Sequence, residues 1–155
     1  MAKEGQRRIL IAIDGSESAE YAFDWYIHNM KQPNDYVYGI TVPEYSFAGI
    51  TVGPMADPQA LQDEFMSQHK VVEKLCADYT AKLRSAGVKG QVDEYSGNKP
   101  GETIVEQAEK LNADHVIMGT RGLTGMKKFF LGSVSNYVVQ NCGVPVSVIP
   151  KKEQK

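Results

Sequence analysis

Two rhythms of apolar residues alternate along the chain. Ile9–Ile13 is a continuous apolar run, the mark of a strand buried on both faces. It gives way to Ala19, Ala22, Phe23, Tyr26, Ile27 and Met30, spaced as one face of a helix, with Ser16 placed to cap it and Glu17 at its positive end. Tyr36–Val42 reads as a second strand. Asp57 and Pro58 open a long helix whose apolar positions are Leu61, Phe65, Val72, Leu75, Tyr79 and Leu83, with Gly87 ending it. Val88–Tyr95 is a third strand. A helix from near Pro100 buries Ile104, Val105, Ala108 and Leu111, and His115–Met118 is a fourth strand. Ser133–Asn141 is a last helix closed by Gly143, and Val146–Ile149 a fifth strand.

Strict alternation of buried strands with amphipathic helices defines an α/β chain with a doubly wound, five-stranded parallel sheet and helices on both faces. At 155 residues, without repeats or a linker, it is expected to form a single domain over residues 1–155. One segment, Pro43–Ala56, supports no regular element, yet Phe47, Ile50, Val52 and Met55 are too apolar for a plain linker. Two readings stand for it: a mobile lid, or a surface loop packed on itself.

Such a sheet places ligands beyond the carboxyl ends of its strands, where the strand order reverses. Asp14 follows the first strand and Gly119 ends the fourth. If those strands are neighbours, Asp14 and the glycine loop face one crevice. The loop, "MGTRGLTGMKKFFLGSVS", carries Gly119, Gly122, Gly125 and Gly132 and hands over directly to Ser133. Glycines let backbone N–H groups approach a ligand, and free N–H groups at a helix start favour an anion. Ser133 and Ser135 add hydroxyls. The plainer reading is a glycine-rich connection with an ordinary serine cap. Neither G-x-x-x-x-G-K-[ST] nor a first-strand G-x-G-x-x-G is present, so neither a P-loop nor a dinucleotide fingerprint is indicated.

Charge and cysteines narrow the partners. Seventeen basic against nineteen acidic residues give −2, so no global field recruits nucleic acid or an anionic membrane. No apolar stretch approaches a membrane span. Cys76 and Cys142 form no metal-spaced pair and read as buried thiols of a cytoplasmic protein.

Gly119, Gly122, Gly132 and Ser133 meet the spacing G-x2-G-x9-G-[ST]. Together with "ILIAIDGSESA" and "GVPVSVIP", they make residues 6–150 resemble the universal stress protein family, in its ATP-binding subclass. The resemblance implies a Rossmann-like fold that binds ATP, with Mg²⁺. Carried over position by position, Asp14 would hydrogen-bond the nucleotide and Val42 would offer backbone groups to the adenine edge. Met118 and Gly119 would flank adenine and ribose. Gly122, Gly132, Ser133, Val134 and Ser135 would surround the phosphates. Arg121 stands where the family often has histidine. The resemblance also implies a homodimer through an edge strand at Val146–Ile149.

Three functions follow as expectations. The first is a nucleotide-dependent regulatory or stress-response protein with little or no turnover, because no water-positioning group accompanies the loop. The others are a slow ATP hydrolase or phosphotransferase, and a dimeric interaction module with an empty nucleotide site. His28, His69 and His115 lack obvious catalytic partners in the sequence, so no catalytic residue and no protein metal ligand is assigned.

Overall fold

A computed structural model describes residues 1–51, 53–120 and 131–151. Its elements run β1 (Arg7–Ala12), α1 (Glu17–Asn29), β2 (Asp35–Thr41), α2 (Pro58–Ser85), β3 (Lys89–Glu94), α3 (Pro100–Lys110), β4 (His115–Gly119), α4 (Ser133–Asn141) and β5 (Val146–Ile149). The strands form one parallel sheet in the order β3-β2-β1-β4-β5. The expected fold class is therefore present, with β1 and β4 adjacent at the reversal of strand order.

Each apolar run forms a strand because both of its faces are covered. Ile9 and Ile11 pack with Phe23 and Tyr26 of α1 and Tyr79 and Leu83 of α2 on one face. Leu10 packs on the other with Ile104 and Ala108 of α3 and Val138 of α4. All three β1 side chains are fully buried. Fully burying a side chain of this size contributes about 1.5–3 kcal/mol, so β1 anchors both layers.

The expected caps are partly realised. The Ser16 hydroxyl oxygen accepts from the Ala19 N–H, and the Asp57 carboxylate from that of Gln59. Gly87 ends α2 with φ at +69°, a conformation that suits glycine. The last helix ends differently from expectation: Cys142, in extended conformation, terminates α4, and Gly143 plays no left-handed capping role. Phe65 also departs from the helical core pattern. It is 40% exposed, near the start of the long helix α2. There Phe65 stacks on His69 at 5.7 Å and meets Tyr45 at 4.9 Å.

The segment leading to α2 is tied down at its start. The Tyr45 hydroxyl donates to Glu94 Oε1 at 2.5 Å, and burial, then this bond, push its pKa up to about 12. Ser46 exchanges two hydrogen bonds with the Gln68 side chain. Further along, Met55 is exposed.

Candidate functional site

At the carboxyl ends of β1, β2 and β4 the structure opens a cavity of about 600 Å³. It forms where it does because the chain leaves the sheet toward opposite faces on either side of β1. The helices that follow β1 and β2 cover one face, and those that follow β3 and β4 the other. Between β1 and β4 the diverging connections leave a crevice.

Most of the residues expected at a site meet here. Asp14, Val42, Met118, Gly119, Gly132, Val134 and Ser135 all line the cavity. Asp14 is held in place by its own turn, its Oδ1 accepting the Ser16 N–H at 2.9 Å. Val42 follows β2 and is half-buried, while Met118 is buried in β4. Ser133 is the first residue of α4 and is exposed. Gly122 lies outside the described residues, as do Arg121, Gly125 and the two adjacent lysines.

Two of these residues owe their identity to something other than an open approach to a ligand. A Cβ on Gly119 would come within 2.4 Å of the Ser18 carbonyl oxygen. The close neighbour requiring glycine is thus the start of α1. Ser135 is buried, and its hydroxyl donates to the Gly132 carbonyl at 3.1 Å. That bond shapes the entry to α4 and leaves the oxygen able to accept.

Two helix starts, those of α3 and α4, reach the cavity without a side-chain cap. The N-cap of α4 is Gly132, which supplies no side chain, and Lys99 before α3 makes no side-chain cap bond, whereas Ser16 and Asp57 cap α1 and α2. Gly132 has φ −60°, which any residue adopts. It is buried and lines the cavity. Free N–H groups and a helix dipole directed at a cavity favour an anion. Beside this, the wall turns apolar through Ile40, Ile104 and Met118, a surface suited to a flat ring.

Sequence reasoning missed one side of the site. Val71, Lys74, Leu75 and Asp78 of α2 also line the cavity. Their spacing is that of a helical stripe, but the same helix buries Val72, Tyr79 and Leu83, so pattern alone assigned the neighbouring face to the core. Lys74 Nζ bonds Asp78 Oδ2 at 2.6 Å. Pro100 and Thr120, at element ends, are further lining residues whose only sequence signal was position.

The histidines lie outside this cavity lining. His69 Nδ1 sits 3.2 Å from the Tyr45 hydroxyl and 3.3 Å from Glu94 Oε2, so it joins the segment after β2 to α2 and β3. His115 Nε2 meets Ser147 Oγ at 2.7 Å at the opposite end of the sheet. His28 Nδ1 meets the Asp24 carbonyl one turn back along α1. Among the described residues, no His, Cys, Asp and Glu side chains form a group of three able to hold a metal. No described helix is long and apolar enough to cross a membrane.

A parallel doubly wound sheet with a cleft at its switch point defines a broad class of α/β binding proteins. Within it, residues 6–150 match the model of the universal stress protein family, and the chain belongs to that family. It is 33% identical over 152 residues to universal stress protein MJ0531 of Methanocaldococcus jannaschii, covering 95% of this chain and 85% of that one. The solved structure of hypothetical protein MJ0577 matches with a TM-score of 0.71 at 26% identity, over 96% of this chain and 98% of that one. A family member from Arabidopsis thaliana, solved with AMP bound, matches with a TM-score of 0.68 at 19% identity, over 94% and 92%.

Proposed function

We propose that the cleft binds an adenine nucleotide and that the chain works as a nucleotide-dependent regulatory protein in the cytoplasm. The observation that carries this reading is the start of α4, where Gly132, Val134 and Ser135 line the cavity and no side chain caps the helix. Anionic oxygens would take the place of the missing cap. The adenine would lie on the apolar wall of Ile40, Ile104 and Met118, with Val42 backbone groups at its edge. Asp14 would accept a hydroxyl or amino hydrogen, and Gly119, Val134 and Ser135 would close around the ribose and phosphates. The Arabidopsis relative with AMP supports the choice of base.

The physiological nucleotide in this reading is ATP, with Mg²⁺. The described cavity lining contains the carboxylates of Asp14, Glu44 and Asp78 against one ammonium, Lys74. A divalent ion carried on the phosphates would offset that imbalance, and its charge would screen the oxygens from Asp14. The chain's own part is to bind, orient and shield the nucleotide. We assign it no turnover.

Release of nucleotide from freshly purified protein by denaturation, read by chromatography, tests the proposal. Adenine nucleotide should appear, and ATP with Mg²⁺ should bind to the emptied protein in calorimetry. Protein that is folded, carries no nucleotide and takes up none sinks it.

We further propose a homodimer through β5. This strand is at the sheet edge, and Pro145 and Pro150 bound it. A short edge with Val146 and Val148 and no lysine invites antiparallel pairing about a two-fold axis. Light scattering should give twice the chain mass for wild type and a smaller particle for Val148→Lys. A wild-type monomer at micromolar concentration removes this part.

A further inference from the structure

Asp35, Thr41, Thr103 and Ser135 are the polar residues, tyrosines aside, that the described fold buries. Three of them have partners within the chain. Asp35 accepts from Arg7, the Thr103 hydroxyl donates to the Lys99 carbonyl, and the Ser135 hydroxyl to that of Gly132. Thr41 is the exception. It is 2% exposed, and among the described residues its hydroxyl makes no hydrogen bond. Yet no side-chain nitrogen or oxygen among them is sealed from solvent without a partner. The Thr41 hydroxyl is therefore not sealed, and the space that this residue lines is the cavity.

The fold has no use for that hydroxyl. Thr41 ends β2, and the backbone fixes its place: it stands opposite Glu94 of β3, and its carbonyl accepts the Tyr95 N–H at 2.8 Å. Valine has the same branched shape and suits a buried strand without carrying a polar atom into it. Burying a hydroxyl without a hydrogen bond costs stability. A threonine here calls for a partner from outside the chain.

The topology says which part of a ligand that partner is. β1 separates β2 from β4, and the start of α4, where phosphates would sit, follows β4. Thr41 thus stands at the end of the cavity away from the phosphates, between Ile40 and Val42. Ile40 packs on the α3 and α4 side of the sheet, and strand alternation turns Thr41 to the opposite side. A ring whose face lies on Ile40 therefore meets Thr41 at its edge. An amino group on that edge satisfies the hydroxyl oxygen as an acceptor.

We infer that Thr41 reads the base: its hydroxyl oxygen accepts a hydrogen of the exocyclic amino group of adenine, beside the Val42 backbone groups on the same edge. This rests on the nucleotide reading above and leaves the roles of Asp14 and the start of α4 unchanged.

Calorimetry on emptied protein with Mg²⁺ isolates the contact, using ATP and purine riboside triphosphate, which has hydrogen in place of the exocyclic amino group. Thr41→Val should weaken ATP about fivefold, the loss of one hydrogen bond between neutral groups, and leave the analogue within about twofold. Thr41→Ser keeps the hydroxyl and should hold ATP within about twofold of wild type. Without ligand, Thr41→Val should unfold at the temperature of wild type or above it. A lower midpoint gives the hydroxyl to the fold and overturns the inference. ATP bound equally by wild type and Thr41→Val, equal weakening of both ligands, or a loss in Thr41→Ser matching that in valine overturns the contact and leaves the nucleotide reading standing. Wild type that takes up neither ligand overturns both.

Discussion

At the start of the sheet, Asp35 is closed in on every side. Its carboxylate accepts from Arg7 Nε at 2.7 Å and Nη2 at 2.8 Å, from the Tyr26 hydroxyl at 2.6 Å and from the Gln32 N–H at 2.9 Å. Arg7 Nη2 donates as well to the Met30 carbonyl. At the other end of the same strands, α4 begins without a side-chain cap and the Asp14 and Asp78 carboxylates each face the cavity with one oxygen unclaimed by described residues. The contrast separates two uses of polar groups. Where Arg7 of β1 and Asp35 of β2 stand side by side in register, polarity is saturated internally and joins the central strands. Where the chain leaves the strands, polarity is left for something else to saturate.

The sharpest way to break the closed end is Asp35→Ala. The carboxylate side chain is fully buried, and its removal leaves the Arg7 guanidinium and the Tyr26 hydroxyl without their shared acceptor. Deleting one member of such a buried pair costs about 3–5 kcal/mol, a large part of the stability of a domain this size. Burial opposes ionisation of Asp35, but the bonds from Arg7, Tyr26 and Gln32 outweigh it and hold the carboxyl below its ordinary range. With the folded pKa lowered, this contribution is present above the unfolded pKa, near 4, and is lost as pH falls through the folded one. Chemical denaturation at pH 7 and near pH 3 should show a large difference between wild type and variant at the first and a smaller one at the second. The same difference at both would remove ionisation from the account.

How much of each end was legible in the sequence differs for the same reason. Strands β1 and β4 announced themselves as apolar runs, since a strand covered on both faces has no polar alternation to hide it. The crevice followed once strand order was supposed, and Asp14, Val42, Met118, Gly119 and Gly132 lie in it. The Asp35 cluster gave no such signal. Arg7 and Asp35 sit just outside the apolar runs, 28 positions apart, and only the parallel register makes them partners. The α2 wall was hidden for a related reason. Val71, Lys74 and Asp78 form a stripe one step around the helix from its core stripe, and their role appears only when α2 is laid across the turn after Asp14.

At the open end the matching substitution is Gly132→Val. The φ of −60° is available to valine, but Gly132 is buried, so binding is to be measured on variant protein whose fold is checked by its thermal unfolding. The branched side chain would occupy the space above the first turn of α4, where a phosphate must approach. A loss of about tenfold or more in ATP affinity is expected by calorimetry, about 1.4 kcal/mol. The effect is smaller on the energy scale than that of Asp35→Ala, and it falls on binding. A Gly132→Val protein that binds ATP as wild type does would end the comparison, because the uncapped helix start would then serve no ligand.

The smallest effect tests whether the closed end is closed throughout. His115 opens β4, and its Nε2 meets Ser147 Oγ of the edge strand at 2.7 Å. Burial, and then the charge of Arg7, lower its pKa below the ordinary histidine value. The folded state thus prefers the neutral ring, while the unfolded chain takes up a proton near pH 6.5. Its contribution is complete above that pH and is lost as pH falls toward the lowered folded value, with a slope that stays under about 1.4 kcal/mol per pH unit for one proton. Replacing His115 with glutamine keeps a hydrogen-bonding group beside Ser147 and removes the titration. Denaturation midpoints measured from pH 7.5 to 5 should fall less steeply for His115→Gln than for wild type, with Asp35 still ionised across that range. Parallel curves would mean that the ring is reached by solvent or by a compensating charge, and that saturation at this end stops at Asp35.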